Sequence, residues 1–157
     1  MTEVRLAAAT RAHLLELTDG IRSEDLAEVL ASGFSSALEG LESSCRDCPE
    51  PCALLFDNRV AAVFGRVPLR QSLLGGCEVA FVWGLTTRLV ETHRLTFMRW
   101  TKVVVADLLA DCALLVSFVD ARYTRALQWL ECLGFIAGPA QQHPVSGLPF
   151  HVVSLGR

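Results

Sequence analysis

The clearest alternation of apolar and polar positions runs from Ala113 to Phe135. Its first seven residues, A-L-L-V-S-F-V, are an apolar run of strand length, the pattern of a central strand covered on both faces. From Ala121 to Leu133, apolar residues recur at Ala126, Leu127, Leu130 and Leu133, with Trp129 beside them. That is helical spacing with one buried face. Asp120 stands where this helix would be capped. Gly134 follows the last periodic residue, as a C-terminal cap does, and Phe135 opens a new extended run. The predicted unit is strand, tight turn, amphipathic helix, glycine, strand.

The other elements follow the same logic. Residues 2–8 alternate as a first strand. Thr10 is predicted to cap a helix through Leu17. Ser23 is predicted to cap a second one, with Glu24 and Asp25 in its first turn, where acids favour the helix dipole. Leu26, Val29 and Leu30 form its apolar stripe, and Gly33 ends it. Phe34–Leu41 reads as a short helix, and Cys45–Pro51, with two prolines, as a break. C-A-L-L-F and R-V-A-A-V-F-G-R-V flank Asp57-Asn58, the signature of a hairpin. Pro68–Gly76 reads as a loop and Cys77–Trp83 as a strand. Thr86 and Thr87 are candidate caps for a long helix through about Leu109, with Val90, Phe97, Val104 and Leu108 inward and Arg88, Arg99 and Lys102 outward. A last hairpin, Phe135–Gln142 with Phe150–Leu155, turns at Ser146-Gly147. The order is β, α, α, β, β, β, α, β, α, β, β: an α/β (α+β) chain forming a single domain over residues 1–157, with a mixed central sheet flanked by helices.

Composition adjusts this picture in a few places. At 52% hydrophobic and 20% charged residues over 157 positions, the chain has enough apolar material for a full core. A net charge of −3 argues against a dedicated nucleic-acid binder. Mean hydropathy is high, +0.38, yet no apolar run approaches the roughly 20 residues that cross a bilayer. The amino terminus lacks a signal-peptide pattern, which predicts a cytoplasmic protein or a particle assembled there. The high apolarity points to a buried partner surface. Cys45, Cys48 and Cys52 have the spacing of thiolate ligands for zinc or an iron–sulfur cluster, but a second CxxC is absent. No metal is expected, and those three cysteines are the alternative ligand set. The histidines are scattered, and His93 reads as a packed core residue.

The 113–135 unit, together with the element order, resembles the Gcn5-related N-acetyltransferase (GNAT) superfamily. The family's last segment is a strand followed by Asn-x-x-Ala, an aliphatic pair, Tyr and Leu-Gly-Phe. Here Ala126, Leu127, Leu133, Gly134 and Phe135 match, whereas Tyr123 stands at the Asn position and Trp129 at the Tyr position. The resemblance covers nearly the whole chain, most strongly residues 77–135. It implies a GNAT-like domain whose fourth and fifth strands, Cys77–Trp83 and Ala113–Val119, are neighbours. It also implies a cofactor loop reading Gln/Arg-x-x-Gly-x-Gly/Ala after the fourth strand. This chain has only Gly84 there, placed early, and Leu89, Val90 and Glu91 would crowd a diphosphate. Acetyl-CoA is the cofactor implied; with the glycines lost, none is expected, and Trp83, Thr86, Thr87, Arg88 and Tyr123 are the residues left to bind one. Of the catalytic groups, Glu78 is the carboxylate implied on the fourth strand, and Trp129 replaces the tyrosine that would protonate the thiolate. Tyr123 lies six residues earlier, on nearly the opposite side of a helix, and does not substitute.

Trp83-Gly84-Leu85-Thr86-Thr87, Val116–Gly134 and the closing P-F-H-V-V-S-L-G-R also resemble a degenerate branch of the family, the small internal virion protein of T7-like phages. That resemblance implies a phage or prophage protein, non-catalytic, virion-associated or an assembly scaffold. Its partners would be other virion proteins or a second copy of itself, and its location the cytoplasm or the virion. The alternative is an acetyl-CoA-dependent N-acyltransferase with an atypical cofactor loop.

Overall fold

Asp57 and Asn58 both adopt positive φ, 49° and 63°, the two-residue turn whose twist matches its flanking strands. The turn joins β2 (Cys52–Phe56) to β3 (Arg59–Gln71), and the sheet grows outward from this hairpin. The computed structural model describes all 157 residues. Its elements in chain order are β1 (Val4–Ala8), α1 (Arg11–Gly20), α2 (Ser23–Ala31), α3 (Ala37–Asp47), β2, β3, β4 (Cys77–Thr86), α4 (Leu89–Thr92), α5 (Arg94–Leu109), β5 (Cys112–Asp120), α6 (Thr124–Cys132), β6 (Ile136–Gln142) and β7 (Pro149–Gly156). One seven-stranded sheet has the order β1-β2-β3-β4-β5-β7-β6. Every neighbouring pair is antiparallel except β4 and β5, which are parallel. This is the expected mixed sheet, with the expected fourth and fifth strands side by side.

The helices divide between the two faces. Leu14 and Leu17 of α1 and Leu41 of α3 pack on Ala53, Leu55, Val60 and Val63 of the hairpin. On the other face, Val90 of α4 and Phe97 of α5 meet Leu54, Phe56 and Ala62. Further along that face, Ala80, Leu115, Val119 and Val153 are covered by Val105 and Leu108 of α5 and by Ala126, Leu127, Leu130 and Leu133 of α6. Apolar burial on this scale is the main force holding the layers together.

Several boundaries differ from the sequence expectation. The long helix is broken: α4 is a single turn, and α5 starts only after His93 (φ −119°, ψ 39°). The His93 ring sits edge-on to Phe56, centroids 5.6 Å apart, and its Nδ1 bonds Thr2 Oγ1 at 3.1 Å. Helical geometry at residue 93 gives way to those contacts. Strand β3 continues through Pro68, which lacks an N–H and falls where the register shifts, as proline in a strand must. Helix α3 extends to Asp47, so Cys45 is helical and the break shrinks to Cys48–Pro51. Arg22, not Ser23, is the N-cap of α2. Thr10 does cap α1, in a reciprocal box with His13. Gly33 and Gly134 end α2 and α6 at φ 97° and 98°.

Candidate functional site

Strands β4 and β5 pair from Cys77↔Cys112 to Phe81↔Val116 and no further, although β4 runs on to Thr86 and β5 to Asp120. The α1–α2 connection explains the divergence. Arg22 N–H donates to Thr86 O at 3.2 Å, and Arg88 N–H donates to Gly20 O at 3.0 Å. Thr87 N–H points the other way, to Ala61 O of β3 at 2.9 Å. The connection therefore takes the edge of β4 that β5 would have used. Between Phe81 and Thr86 that edge faces an opening in the sheet.

Helix α2 brings two carboxylates to the mouth of the opening. Asp25 Oδ2 accepts from Thr86 N–H at 2.7 Å and from its Oγ1 at 2.5 Å. Glu28 Oε2 accepts the N–H of Asp120 at 3.3 Å. Asp120 is wholly buried at the end of β5. Arg122 Nε and Nη2 donate to its two oxygens at 3.0 and 2.6 Å, a bidentate pair. Neither Asp25 nor Glu28 has a cation within ion-pair distance. Burial raises both carboxyls, Glu28 to about 7, where the nearby charges of Asp25 and Asp120 add to it. Burial also acts to raise Asp120, but the hydrogen bonds and charge of Arg122 outweigh it and hold Asp120 below the ordinary range. Two acids raised by burial and one lowered by its arginine thus meet at one place.

Tyr123 belongs to the same mouth. Its N–H donates to Asp120 O at 3.0 Å, and Arg122 stands 5.9 Å over its ring. Burial, then the charge of Asp120 and more weakly of Glu28 and Glu24, pushes its hydroxyl above the ordinary phenol value. Thr86 is the partner of Asp25. Thr87 is a buried tie, its hydroxyl donating to Val60 O at 2.8 Å and accepting from Leu89 N–H at 3.3 Å. Arg88 is exposed at the start of α4. Glu91, Thr92, His93, Arg94, Leu95 and Thr96 line a hollow of about 290 Å³ at the uncapped start of α5. Arg22 draws the Glu91 carboxylate aside, at 3.5 Å.

The other expected site residues lie elsewhere. Glu78 is on the closed side of Phe81↔Val116, paired with Arg70 at 2.9 Å, and the fold does not bring it to the mouth. Trp83 lies on the same face of β4 as Phe81, but its ring packs into the α1–α3 core. Trp129 stacks on Phe97, centroids 5.4 Å apart and planes 21° from parallel. It joins the α4–α5 cluster rather than the one that takes Ala126 and Leu133. Its Nε1 is buried without a partner, as is that of Trp83. The cysteines disperse: Cys45 is on α3, Cys48 Sγ lies against Gly65, and Cys52 Sγ donates to Glu50 O at 3.5 Å. No three His, Cys, Asp or Glu side chains are grouped to hold a metal ion.

Asp25, Glu28 and Asp120 were not singled out as a site by the sequence. Asp25 reads as a dipole acid and Asp120 as a cap. A signal was present: Asp25 and Glu28 are three apart on α2 and flank the stripe of Val29, so one turn of that helix carries two acids toward the protein.

No family model and no curated protein matches the chain. Solved structures do. AAC(6')-Ib in complex with ribostamycin and coenzyme A superposes with a TM-score of 0.70 at 14% identity, covering 99% of this chain and 94% of that one. The same enzyme with paromomycin and acetyl-CoA gives 0.70, 14%, 99% and 94%. An acetyltransferase of the GNAT family from Streptococcus pneumoniae gives 0.62, 10%, 99% and 100%. At these identities the likeness defines the fold, which is that of the GNAT acetyltransferases. None of these three is a phage or virion protein, so the virion resemblance and the scaffold role it implied gain no support. The expectation of no cofactor gains none either, since the first two neighbours hold coenzyme A or acetyl-CoA. No helix is long and apolar enough to cross a membrane.

Proposed function

We propose that the chain is an acetyl-CoA-dependent N-acyltransferase, the alternative reading of its sequence, with the opening between β4 and β5 as its active site. The observation that carries the proposal is the coincidence of that opening with Glu28, whose carboxyl is raised to about 7.

The residues present fit the cofactor. Its pantetheine arm carries amides, and the free edge of β4 over residues 82–85 can take an extended amide chain as an added strand. The hollow at the start of α5, with its free N–H groups and the exposed Arg88 and Arg94, suits a diphosphate. The glycines of the usual loop are missing, but Arg22 holds the intruding Glu91 away. Trp129 packs on Phe97 with its Nε1 buried, and an indole has no acidic proton to transfer, so it takes no part in the transfer.

Acetyl-CoA would supply an acetyl group activated as a thioester. The chain's own residues prepare the acceptor. An ammonium entering at the α2 side meets Asp25 and Glu28, with the buried charge of Asp120 behind them. A carboxyl that titrates near neutrality, as Glu28 does, is suited to take the proton an amine must lose before it attacks. Asp120, kept ionised by Arg122, retains negative charge at the site while Glu28 cycles.

Titration of the purified protein with acetyl-CoA, followed by melting temperature, tests the reading. Ligand at ~100 times its dissociation constant should add about 2.7 kcal/mol. Absence of any shift up to millimolar acetyl-CoA, with no thiol release on any amine, would overturn it.

A further inference from the structure

On the sheet face away from α5 and α6, an apolar floor runs up to the acidic mouth. Strand register places Phe81, Val116, Ser154 and Ile136 in one row across β4, β5, β7 and β6. Phe118 pairs with Val152 in the next row, and Asp120 with Phe150 in the one after. Their neighbours Leu115, Val119 and Val153 pack under the helices, so this set faces the other way. No helix covers it: Phe118 is 50% and Ile136 73% exposed. The rings of Phe81 and Phe118 touch, centroids 5.7 Å apart, forming an aromatic step. Phe118 and Asp120 are two residues apart on one face of β5, roughly 7 Å.

We propose that this floor seats the apolar body of an amphipathic primary amine, an arylalkylamine or medium-chain alkylamine, whose ammonium reaches the carboxylates of Asp25 and Glu28, with the buried charge of Asp120 behind them. The assignment rests on the acyltransferase reading and narrows its acceptor. Charge complementarity fixes one end, since three acids at the mouth share one paired cation, Arg122. The floor fixes the other. Its first two rows present no polar side chain but Ser154, and Gln141 and His143 stand only at the far edge beside Phe150, so a polyhydroxylated amine would lose hydrogen bonds to water and regain few. The ~7 Å from Phe118 to Asp120 matches an amine separated from its ring or chain centre by a few methylene groups. The acceptor chemistry therefore differs from that of the ribostamycin carried by the structural neighbour.

Acetyl transfer to phenethylamine, octylamine, ethanolamine and kanamycin, read as thiol release, tests this. Phenethylamine should exceed ethanolamine in kcat/KM by about 50-fold, as expected for withdrawing one aromatic group from water. Phe118→Asn should raise KM for phenethylamine at least ~10-fold and so narrow its preference over ethanolamine, with the acetyl-CoA melting shift kept, and Phe118→Leu should restore discrimination. Calorimetric titration of phenethylamine against ethanolamine, without acetyl-CoA, reads the same preference independently. If the protein fails to bind acetyl-CoA, the acyltransferase reading falls and the calorimetric arm still decides this one. Equal use of ethanolamine or kanamycin, or no calorimetric preference for phenethylamine, overturns it. So does a concentration-dependent dimer abolished by Phe118→Asn, because a second copy would then occupy the floor.

Discussion

Glu28 of α2 accepts the backbone N–H of Asp120 at the end of β5, at 3.3 Å and 92 residues away in the chain. This bond ties the helix at the mouth of the opening to the strand that forms its far wall. It also sets a pH dependence. The Glu28 carboxyl is raised from 4.5 to about 7, so the folded protein binds more protons than the unfolded chain between those values. Stability is then fully present at the acidic end and falls as pH rises through 7, by roughly 3 kcal/mol. Asp25, also raised by burial, acts with the same sign. Asp120 is lowered and acts with the opposite sign, in a window below the ordinary aspartate range. Urea unfolding at pH 5 and pH 8 should show the loss, and Glu28→Gln should remove most of it. An unchanged difference in the variant would show that another group titrates. Under the proposed function, Glu28→Gln should also abolish acetyl transfer while keeping the acetyl-CoA melting shift.

Trp129 separates packing from chemistry. Trp129→Ala deletes the ring stacked on Phe97 and should cost about 3 kcal/mol. Trp129→Phe keeps a ring there and removes the orphaned Nε1, so stability should stay within about 1 kcal/mol of the wild type. Because that N–H is buried away from the opening, Trp129→Phe should leave the acetyl-CoA melting shift unchanged. Chemical denaturation and ligand titration of the same two variants check both expectations. A Phe variant as unstable as the Ala variant would contradict the packing account.

Gly65 accounts for Cys48. A Cβ at Gly65 would fall inside contact distance of Cys48 Sγ and 3.2 Å from the Trp83 ring. Gly65→Ala should therefore cost about 1–3 kcal/mol, as overpacking does. Combining it with Cys48→Ala should recover part of the loss, a coupling that a double-mutant cycle reads. Metal analysis of protein purified without chelator should find well under one zinc or iron per chain. Near-stoichiometric metal, lost in Cys48→Ser, would assign the cysteine to a metal site instead.

The two cysteines at the start of the paired stretch of β4 and β5 should be poor nucleophiles. Cys77 and Cys112 are register partners with sulfurs 3.0 Å apart. Burial, with the adjacent Cys112 thiol, pushes Cys77 up to about 11. At pH 8 iodoacetamide should modify the exposed Cys132 well before Cys77, because the thiolate is the reactive form. Peptide mapping of a time course would show the order, and early labelling of Cys77 would contradict it.

The sequence by itself determined what depends on neighbouring residues. Asp57-Asn58 specified a hairpin because both residues tolerate positive φ. Gly33 and Gly134 marked helix ends for the same reason, and the 113–135 periodicity gave a strand and a helix with the right faces. Tertiary structure decided what depends on residues far apart in the chain. The helix break at His93 needs Thr2 and Phe56, and the continuation of β3 past Pro68 needs the pairing of β4. The acidic mouth exists only because α2 meets Thr86 and Asp120, 61 and 92 residues away from its acids. In sequence, Asp25 is a favourable charge at a helix start and Asp120 a polar residue after a strand, which describes most acids at such positions. Burial raises one of these carboxyls and Arg122 lowers the other, and both effects depend on distances through space that periodicity does not encode.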